Sequence, residues 1–314
     1  MKSTEALLQY MKQHDLDAFF LAKKQNIRYI SGYTGDDSYL VITPNKFYFL
    51  TDPRYTEQAA LECPDYQIVL WKNFGSIGEC VAKLLNEQHS QSMGFEADVL
   101  NYLFYSQLEQ NVSAKLVPTT NVVETFRSVK TPQEIEYLRA ACDISCRAFE
   151  HILDDIRVGV TEKELAAKLS AYMVMEGADT QPYGNILISG ARTSLLHGIP
   201  SSKAVEYGDF VLMDFGCQFN GYLSDMTRTV VVGHASAKQR EVYELEKRML
   251  EDSLAKMKAG VGLREVYEAS IKAVKDTEYY QYIYHGIGHG IGMFVHEIPF
   301  MSPTSTELLE ENSV

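Results

Sequence analysis

The sequence predicts an α/β N-terminal domain followed by an α+β domain, and two patterns carry this prediction. Residues 1–123 alternate between helix-like and strand-like segments, which is typical of a small α/β domain. Residues 132–314 instead place long amphipathic helices around one β-hairpin, which favours an antiparallel sheet covered by helices on one face. Residues 124–131 lie between the two patterns, and we interpret them as a linker.

The elements of the N-terminal domain follow from apolar periodicity and from turn residues. The first helix is predicted where Leu7, Leu8 and Met11 form one apolar stripe. A hairpin is predicted around Pro44 and Asn45, because both residues favour turns. In chain order, we predict a helix over 4–12, a strand over 18–21, a hairpin over 39–43 and 47–50, a strand over 66–71 and a helix over 77–86.

The C-terminal domain opens with a strong helix-start signal. Thr131 can cap a helix whose first position is Pro132, and Glu134 stands three residues after the cap. Thr161 and Glu164 repeat the same capping pattern for a second helix. Two later helices are predicted from their periodicity over 238–257 and 263–274.

Composition and charge argue against nucleic-acid-binding, membrane-associated and secreted classes of protein. The 314 residues are 46% apolar and 23% charged, as in ordinary globular proteins. A net charge of −13 argues against binding to nucleic acid or to an anionic membrane surface, since both require basic patches. The five cysteines include no Cys-x-x-Cys pair, and Cys142 and Cys146 are expected to be buried thiols on a helix. No segment has the pattern of a signal peptide or a membrane span, so we expect a cytoplasmic protein.

The most informative feature is a hairpin around Asn220 and Gly221. An Asn-Gly pair between two β-rich runs predicts a two-residue type I′ turn, which fixes the register of the strands. In this register Asp214 opposes Thr227, and Asp225 shares their face because side chains alternate along a strand. The two carboxylates would therefore be diagonal neighbours on one face of the sheet.

Two neighbouring carboxylates require a source of positive charge. They repel each other, so one must take up a proton unless a cation neutralises both. Arg228 is the nearest basic residue, and the alternation of side chains directs it to the opposite face. A divalent metal ion is the simplest solution.

Three of the eight histidines, His285, His289 and His296, lie in one glycine-rich segment. Glycine permits close approach of the backbone, so such a segment can wrap around an ion or a ligand. Together with the Asp pair, this concentration favours a functional site over a flexible turn with incidental histidines. His197 lies in a separate loop with Gly198, and taken alone it is more typical of a surface histidine.

Seven motifs occur along the chain in a characteristic order. They are Asn26-Ile-Arg-Tyr-Ile-Ser-Gly-Tyr-Thr-Gly35, Thr51-Asp-Pro-Arg-Tyr55, Arg127-Ser-Val-Lys-Thr-Pro-Gln-Glu-Ile135, Val211-Leu-Met-Asp-Phe-Gly216, Leu223-Ser-Asp-Met-Thr-Arg-Thr229, His285-Gly-Ile-Gly-His-Gly-Ile-Gly292 and Val295-His-Glu297. In this order they resemble the motifs of the proline-specific metallopeptidases of the creatinase and methionine aminopeptidase superfamily, and most of all those of Xaa-Pro dipeptidases and Xaa-Pro aminopeptidases. The resemblance covers essentially the whole chain, since the N-terminal half resembles the creatinase-type N-terminal domain.

The resemblance implies a pita-bread catalytic domain with two divalent metal ions, Mn, Co or Zn, that hydrolyses the bond before proline in Xaa-Pro peptides. It implies that Asp214 chelates one metal, that Asp225 bridges both, and that His289 is a further ligand. His197 and His296 match histidines that line the substrate site, stabilise the reacting amide and help to move protons. His285 matches a substrate-binding histidine at the mouth of the pocket. Many members of the family are homodimers, and we expect the same here.

The sequence departs from the family pattern in its ligand set. The family uses two further Glu ligands, one in a Glu-Pro-Gly strand and one in a later Arg-x-Glu-Asp strand. Neither motif occurs in the 314 residues, so we interpret the catalytic domain as truncated and incomplete at its C-terminus. We expect the chain to bind one metal ion loosely, or none, and to be impaired in catalysis.

Two rival functions stay open at this stage. One is a non-catalytic pita-bread protein that binds peptides or partners. The other is a metal-free creatinase-like hydrolase of small amidine compounds, which the Asp pair disfavours because those enzymes replace the metal-binding acids.

Overall fold

A computed structural model describes residues 2–314, and the chain divides into two compact units. One unit extends to Arg127, and the other runs from Ser128 to Val314. This division lies inside the predicted linker 124–131. The linker itself is largely helical, because Val122–Ser128 forms a helix.

The N-terminal unit is built around one six-stranded sheet. The elements are α1 (Lys2–Gln13), β1 (Ala18–Leu21), α2 (Lys24–Ser31), β2 (Tyr39–Ile42), β3 (Phe47–Thr51), α3 (Thr56–Glu62), β4 (Gln67–Leu70), α4 (Ile77–Glu87), β5 (Ser92–Glu96), α5 (Tyr102–Asn111), β6 (Lys115–Thr119) and α6 (Val122–Ser128). The strands of the sheet lie in the order β4-β3-β2-β1-β5-β6. The predicted hairpin is present as the antiparallel pair β2 and β3, whereas β1 with β5, β5 with β6, and β3 with β4 are parallel pairs.

Strand β1 shows how this sheet is buried on both faces. Ala18 and Phe20 pack into one hydrophobic core, and Phe19 and Leu21 pack into a second. A continuous apolar run is the expected pattern for a strand covered on both sides. Helices therefore cover the two faces, as in an α/β domain.

The C-terminal unit joins small antiparallel sheets to long helices. Both predicted capping boxes are present, at Thr131 with Glu134 and at Thr161 with Glu164. Within residues 2–314, every helix is too short or too polar to cross a lipid bilayer. The elements are α7 (Pro132–Leu153), α8 (Glu162–Met175), β7 (Ile186–Ser189), β8 (Phe210–Phe215), β9 (Gln218–Phe219), β10 (Tyr222–Leu223), β11 (Met226–Val231), α9 (Ala237–Lys256), α10 (Leu263–Ile271), β12 (Gly288–Gly290) and β13 (Glu297–Met301).

The main sheet of this unit has the strand order β11-β8-β7, with α7 and α8 packed on one face. Val211, Met213 and Phe215 of β8 are fully buried in the resulting core. This arrangement confirms the α+β layers predicted from the sequence. The opposite face of β8 carries Asp214.

The expected burial of Cys142 and Cys146 is wrong. Both side chains are exposed, and both thiols are free. The buried stripe of α7 contains Leu138, Ala141 and Ala148, and the two cysteines lie about one residue, or 100° of helix rotation, beside it.

Candidate active site

The hairpin that carries the Asp pair has the register predicted from its turn. Asn220 and Gly221 both have positive φ angles, 49° and 85°, as a type I′ turn requires. Asp214 is paired with Thr227 across β8 and β11, and Asp225 lies immediately before β11. The register on which the prediction of a shared face depends is therefore present in the structure.

The Asp pair is partly buried and short of positive charge. Burial raises the pKa of Asp214, and the neighbouring Asp225 carboxylate raises it further. His197, Thr227 and His289 lower this pKa, but they do not outweigh the first two effects. Within the described residues, neither carboxylate is paired with a lysine or an arginine, since the guanidinium of Arg228 donates to the carbonyl oxygen of Thr227. The site therefore has the uncompensated negative charge that the sequence predicts.

His289 is oriented as a ligand would be. Its Nδ1 is 3.0 Å from the carbonyl oxygen of Gly290, and because that oxygen can only accept, Nδ1 must carry the proton. In the neutral ring Nε2 then bears the lone pair, and this atom lies 3.4 Å from Oδ2 of Asp225. Histidines that bind metals commonly donate their other ring nitrogen to a carbonyl in this way.

The structure brings two further predicted histidines to this site. The ring of His296 lies 4.4 Å, centroid to centroid, from the ring of His289. His197 is exposed on its loop and is close enough to Asp214 to stabilise the ionised carboxylate. Five of the six predicted site residues are therefore gathered on one side of the hairpin.

His285 is placed differently. Its Nδ1 lies 2.9 Å from the hydroxyl oxygen of Tyr267 on α10, and it lines a cleft of about 510 Å³ together with Pro303. A larger cleft of about 820 Å³ is lined by Leu196, which precedes His197, and by Tyr284, which precedes His285. The contact of His285 is therefore with Tyr267, whereas His197 and His289 are the histidines that act on the charge of Asp214.

A buried carboxylate that the sequence argument missed anchors the loop of His197. Glu162, the first residue of α8, is fully buried. Its two oxygens accept hydrogen bonds from the backbone and hydroxyl groups of Ser189 and Ser201, at 2.7–3.1 Å. The Nε of Arg192 donates to both oxygens, and a terminal nitrogen of the same guanidinium donates to the carbonyl of Ile199. Glu162 therefore holds both ends of the loop.

Tyr183 is a second residue that sequence reasoning missed. Its hydroxyl donates to the carbonyl oxygen of Ser224 at 3.1 Å, next to Asp225. Burial raises the pKa of Tyr183 far above its usual range, and the Asp225 and Asp214 charges add to this effect. Gly216 leaves room for the hydroxyl, because a Cβ there would come within 2.1 Å of it. The glycine two residues after Asp214 was the available signal.

The side chains of Asp214, Asp225 and His289 are of the types that bind divalent metals, but they do not form a ready-made metal site. Two carboxylates and a lone-pair imidazole nitrogen are typical ligands for such ions. Across residues 2–314, however, no three His, Cys, Asp or Glu side chains are close enough to form a ready-made metal site. Asp214, Asp225 and His289 converge on one region without forming a closed coordination shell.

Comparison with known proteins identifies the family. The model described as Metallopeptidase family M24 matches residues 136–314, more than half of the chain. The chain belongs to metallopeptidase family M24. A Creatinase/Prolidase N-terminal domain matches residues 4–129. The chain is therefore a hydrolase, a peptidase by family, and it has the creatinase-type N-terminal domain and the pita-bread catalytic domain that the motifs predicted.

Named relatives agree with this assignment. An uncharacterized peptidase of Bacillus subtilis is 35% identical over 311 residues, which cover 99% of this chain and 88% of the relative. An Xaa-Pro dipeptidase of Pyrococcus furiosus is 31% identical, with 99% and 87% covered. Among solved structures, an Xaa-Pro dipeptidase from Bacillus anthracis superposes with a TM-score of 0.94 at 36% identity, covering 99% of this chain and 87% of that one. Membership of family M24 implies divalent metal ions.

Proposed function

We propose that this chain performs metal-dependent hydrolysis of the peptide bond before proline in Xaa-Pro peptides. The candidate metal ligands are Asp214, Asp225 and His289, with His197 and His296 as catalytic and substrate-binding groups. His285, which contacts Tyr267, is proposed as a substrate-binding residue. The similarity to Xaa-Pro dipeptidases supports the choice of substrate.

One observation carries the proposal. The Asp pair has no lysine or arginine partner among the described residues, and Nε2 of His289 lies 3.4 Å from Oδ2 of Asp225. A protein pays a free-energy cost for two adjacent carboxylates unless a cation offsets their repulsion. A divalent ion between these groups would remove that cost and would supply Lewis acidity and water activation, since it lowers the pKa of water from about 15.7 to roughly 7.

The remaining residues would act on the substrate. A bond before proline is a tertiary amide, and its nitrogen must gain a proton in order to leave. His296 and His197 are the candidate donors, because both imidazoles lie on the side of the Asp pair. Imidazole is the side-chain group best suited to proton transfer near neutral pH.

The metal content belongs to the proposal as well. The family site holds two ions, Mn, Co or Zn, through five ligands, and three of the five have candidates here. With these three, a polypeptide of the 314 residues alone should bind one ion weakly and turn over slowly. Buried Glu297 does not replace a missing ligand, because its carboxylate faces Lys130.

Turnover on matched peptides tests the proposal. With added Mn²⁺, a mass-verified 314-residue chain should cleave Ala-Pro slowly and Ala-Ala not at all. A chimera that adds the family's Glu-Pro-Gly and Arg-x-Glu-Asp strands after Val314 should cleave Ala-Pro at least a hundredfold faster. Asp225→Asn in the chimera is the control and should abolish turnover. An inactive chimera that still binds Mn²⁺ overturns the assigned activity, and fast turnover by the 314-residue chain overturns the proposed impairment.

A non-catalytic peptide-binding protein is the second candidate. The lack of a ready-made metal site of three side chains among residues 2–314 favours it. Under this alternative, the chain binds an Xaa-Pro peptide but gives no heat with Mn²⁺ in a calorimetric titration. Mn²⁺ binding that disappears in Asp214→Asn supports the peptidase instead.

Cellular setting and assembly complete the proposal. We propose a homodimer in the cytoplasm that binds neither nucleic acid nor membranes. The net charge of −13 supports the last two points. Sedimentation at micromolar concentration tests the dimer, and a single species at the monomer mass of 35.5 kDa would contradict it.

A further inference from the structure

We propose that the start of α7 is a bracket that holds the two halves of the candidate metal site in register. The bracket consists of two contacts, the ion pair Lys130–Glu297 and the hydrogen bond from Tyr222 to Glu134. The first reaches the histidine segment, and the second reaches the hairpin of the Asp pair. All four are positioning residues, and their proposed role rests on the proposed function of the site.

The first contact is a buried ion pair. Nζ of Lys130 lies 3.8 Å from Oε2 of Glu297, and only 1% and 2% of the two side chains are exposed. The same Nζ donates to the carbonyl oxygens of Ser128 and Val314, both at 3.2 Å. Burying two charges so deeply costs desolvation free energy. We take the role of the Lys130–Glu297 pair to be the fixing of one specific arrangement of the start of α7 against the histidine segment.

Glu297 connects the ion pair to the two histidines, because its carboxylate also holds the turn that lies between them. Its Oε1 accepts a hydrogen bond from the backbone of Phe294 at 2.9 Å, which closes the turn between β12 and β13. Gly292 lies against the same carboxylate, because a Cβ there would be 2.5 Å from Oε2 of Glu297. His289 and His296 stand at the two ends of this turn, so its shape sets the distance between their rings.

The second contact fixes the hairpin. Glu134 completes the capping box of α7, where its Oε2 accepts from the backbone of Thr131 at 2.8 Å. Its other oxygen accepts from the hydroxyl of Tyr222 at 2.7 Å, in a buried environment. Tyr222 begins β10, three residues before Asp225. The carboxylate of Glu134 therefore ties the helix start to the strand that leads to the Asp pair.

The two halves also touch directly. The backbone of Leu223 donates to the carbonyl oxygen of Gly292 at 2.8 Å, which links β10 to the histidine turn. One hydrogen bond defines a distance but leaves the angle between two segments free. The two contacts from the start of α7 restrict this angle, because they attach both segments to the same end of one helix. The bracket would thus keep His289 Nε2 aimed at Asp225.

Two variants remove the arms of the bracket. Lys130→Met with Glu297→Gln neutralises the ion pair while keeping its volume and the acceptor for Phe294. Tyr222→Phe removes one hydroxyl. The matched control is Tyr172→Phe, because the Tyr172 hydroxyl donates to Asp155 at 2.6 Å on the same unit but away from the site.

Hydrogen exchange of the metal-free chain is the first measurement. Exchange in segments 222–226 and 288–297 should rise at least tenfold in both bracket variants, while exchange in α8 stays as in the unaltered chain. Tyr172→Phe should leave both segments unchanged. Unchanged exchange in both segments overturns the bracket, and so does a uniform rise that includes α8, which would indicate general destabilisation.

Mn²⁺ affinity is the second measurement. Residues that support metal ligands typically change affinity by about 10–100-fold when they are replaced. We expect at least a tenfold loss for Lys130→Met with Glu297→Gln, a smaller loss for Tyr222→Phe, and no change for Tyr172→Phe. If the unaltered chain binds no Mn²⁺, the proposed function fails, and the exchange experiment alone then decides on the bracket.

Discussion

Glu162 and Asp214 are both carboxylates inside the C-terminal unit, yet their surroundings are opposite. Glu162 accepts hydrogen bonds from Ser189 and Ser201 and is paired with Arg192. Burial opposes its ionised form, but the hydrogen bonds outweigh burial and lower its pKa. Asp214 has a second carboxylate as its neighbour, and burial together with Asp225 raises its pKa.

The comparison distinguishes a structural carboxylate from one whose charge the protein leaves uncompensated. Every lone pair of Glu162 accepts a hydrogen bond from a protein group, so this carboxylate needs no ligand. The Asp pair keeps its repulsion in the folded chain, which a structure built for stability alone would avoid. Such unrelieved electrostatics cluster at functional sites.

The largest effect is expected for Glu162→Gln. This change leaves Arg192 without its partner and weakens the anchors of the His197 loop. Breaking a buried ion pair from one side costs about 3–5 kcal/mol, and we expect about 3 kcal/mol in the free energy of unfolding. Urea unfolding at pH 7 measures it. A change below about 1 kcal/mol, the usual range for surface pairs, would show that the Glu162 network contributes little.

The same variant should lose its effect in acid. The folded pKa of Glu162 lies below its unfolded value, so the stability it contributes is fully present above the unfolded pKa, about 4.3 for Glu. That contribution disappears as the pH falls through the folded pKa. The difference in unfolding free energy between the unaltered chain and Glu162→Gln should therefore be constant from pH 7 to 5 and shrink below about pH 4.3. A difference that grows towards acid would contradict the lowered pKa.

Asp214→Asn should have the opposite sign in metal-free protein. It removes like-charge repulsion across a strand pair, which costs roughly 0.2–1 kcal/mol, so the variant should be more stable than the unaltered chain by about 0.5 kcal/mol. Thermal unfolding with a chelator present measures this. With Mn²⁺ in excess the order should reverse, because only the unaltered chain gains stability from binding. A less stable variant in chelator would mean that the Asp pair is already compensated.

Arg228→Ala should change least. Its guanidinium is exposed and donates to the Thr227 carbonyl, without an ion pair to either acid among the described residues. Mn²⁺ affinity should therefore change less than twofold. A larger change would show that Arg228 supplies positive charge to the Asp pair. The Asp pair would then have an arginine partner, as Glu162 does.

The sequence predicted the elements whose signals are local. The Asn-Gly turn determined the pairing of Asp214 with Thr227, and the capping boxes located the starts of α7 and α8. Glu162 and Tyr183 were missed because their importance arises only when distant segments meet. The one local signal, Gly216, shows that space is needed there but not which side chain fills it.

The position of His285 illustrates the same limit. It shares one glycine-rich segment with His289, yet its Nδ1 lies against the hydroxyl of Tyr267 on α10. The sequence motif groups the histidines, whereas their contacts differ, since His289 lies beside Asp225 and His296. Glycine-rich segments are the ones whose path local rules determine least, because glycine populates so many conformations.

Calorimetric titration with Mn²⁺ tests the central claim most directly. The account predicts that the unaltered chain binds Mn²⁺ and that Asp214→Asn, Asp225→Asn and His289→Gln each weaken binding at least tenfold, while Glu162→Gln alters stability without altering the affinity of the folded protein. Equal Mn²⁺ binding by all five proteins, or none by the unaltered chain, would contradict a metal site at the Asp pair.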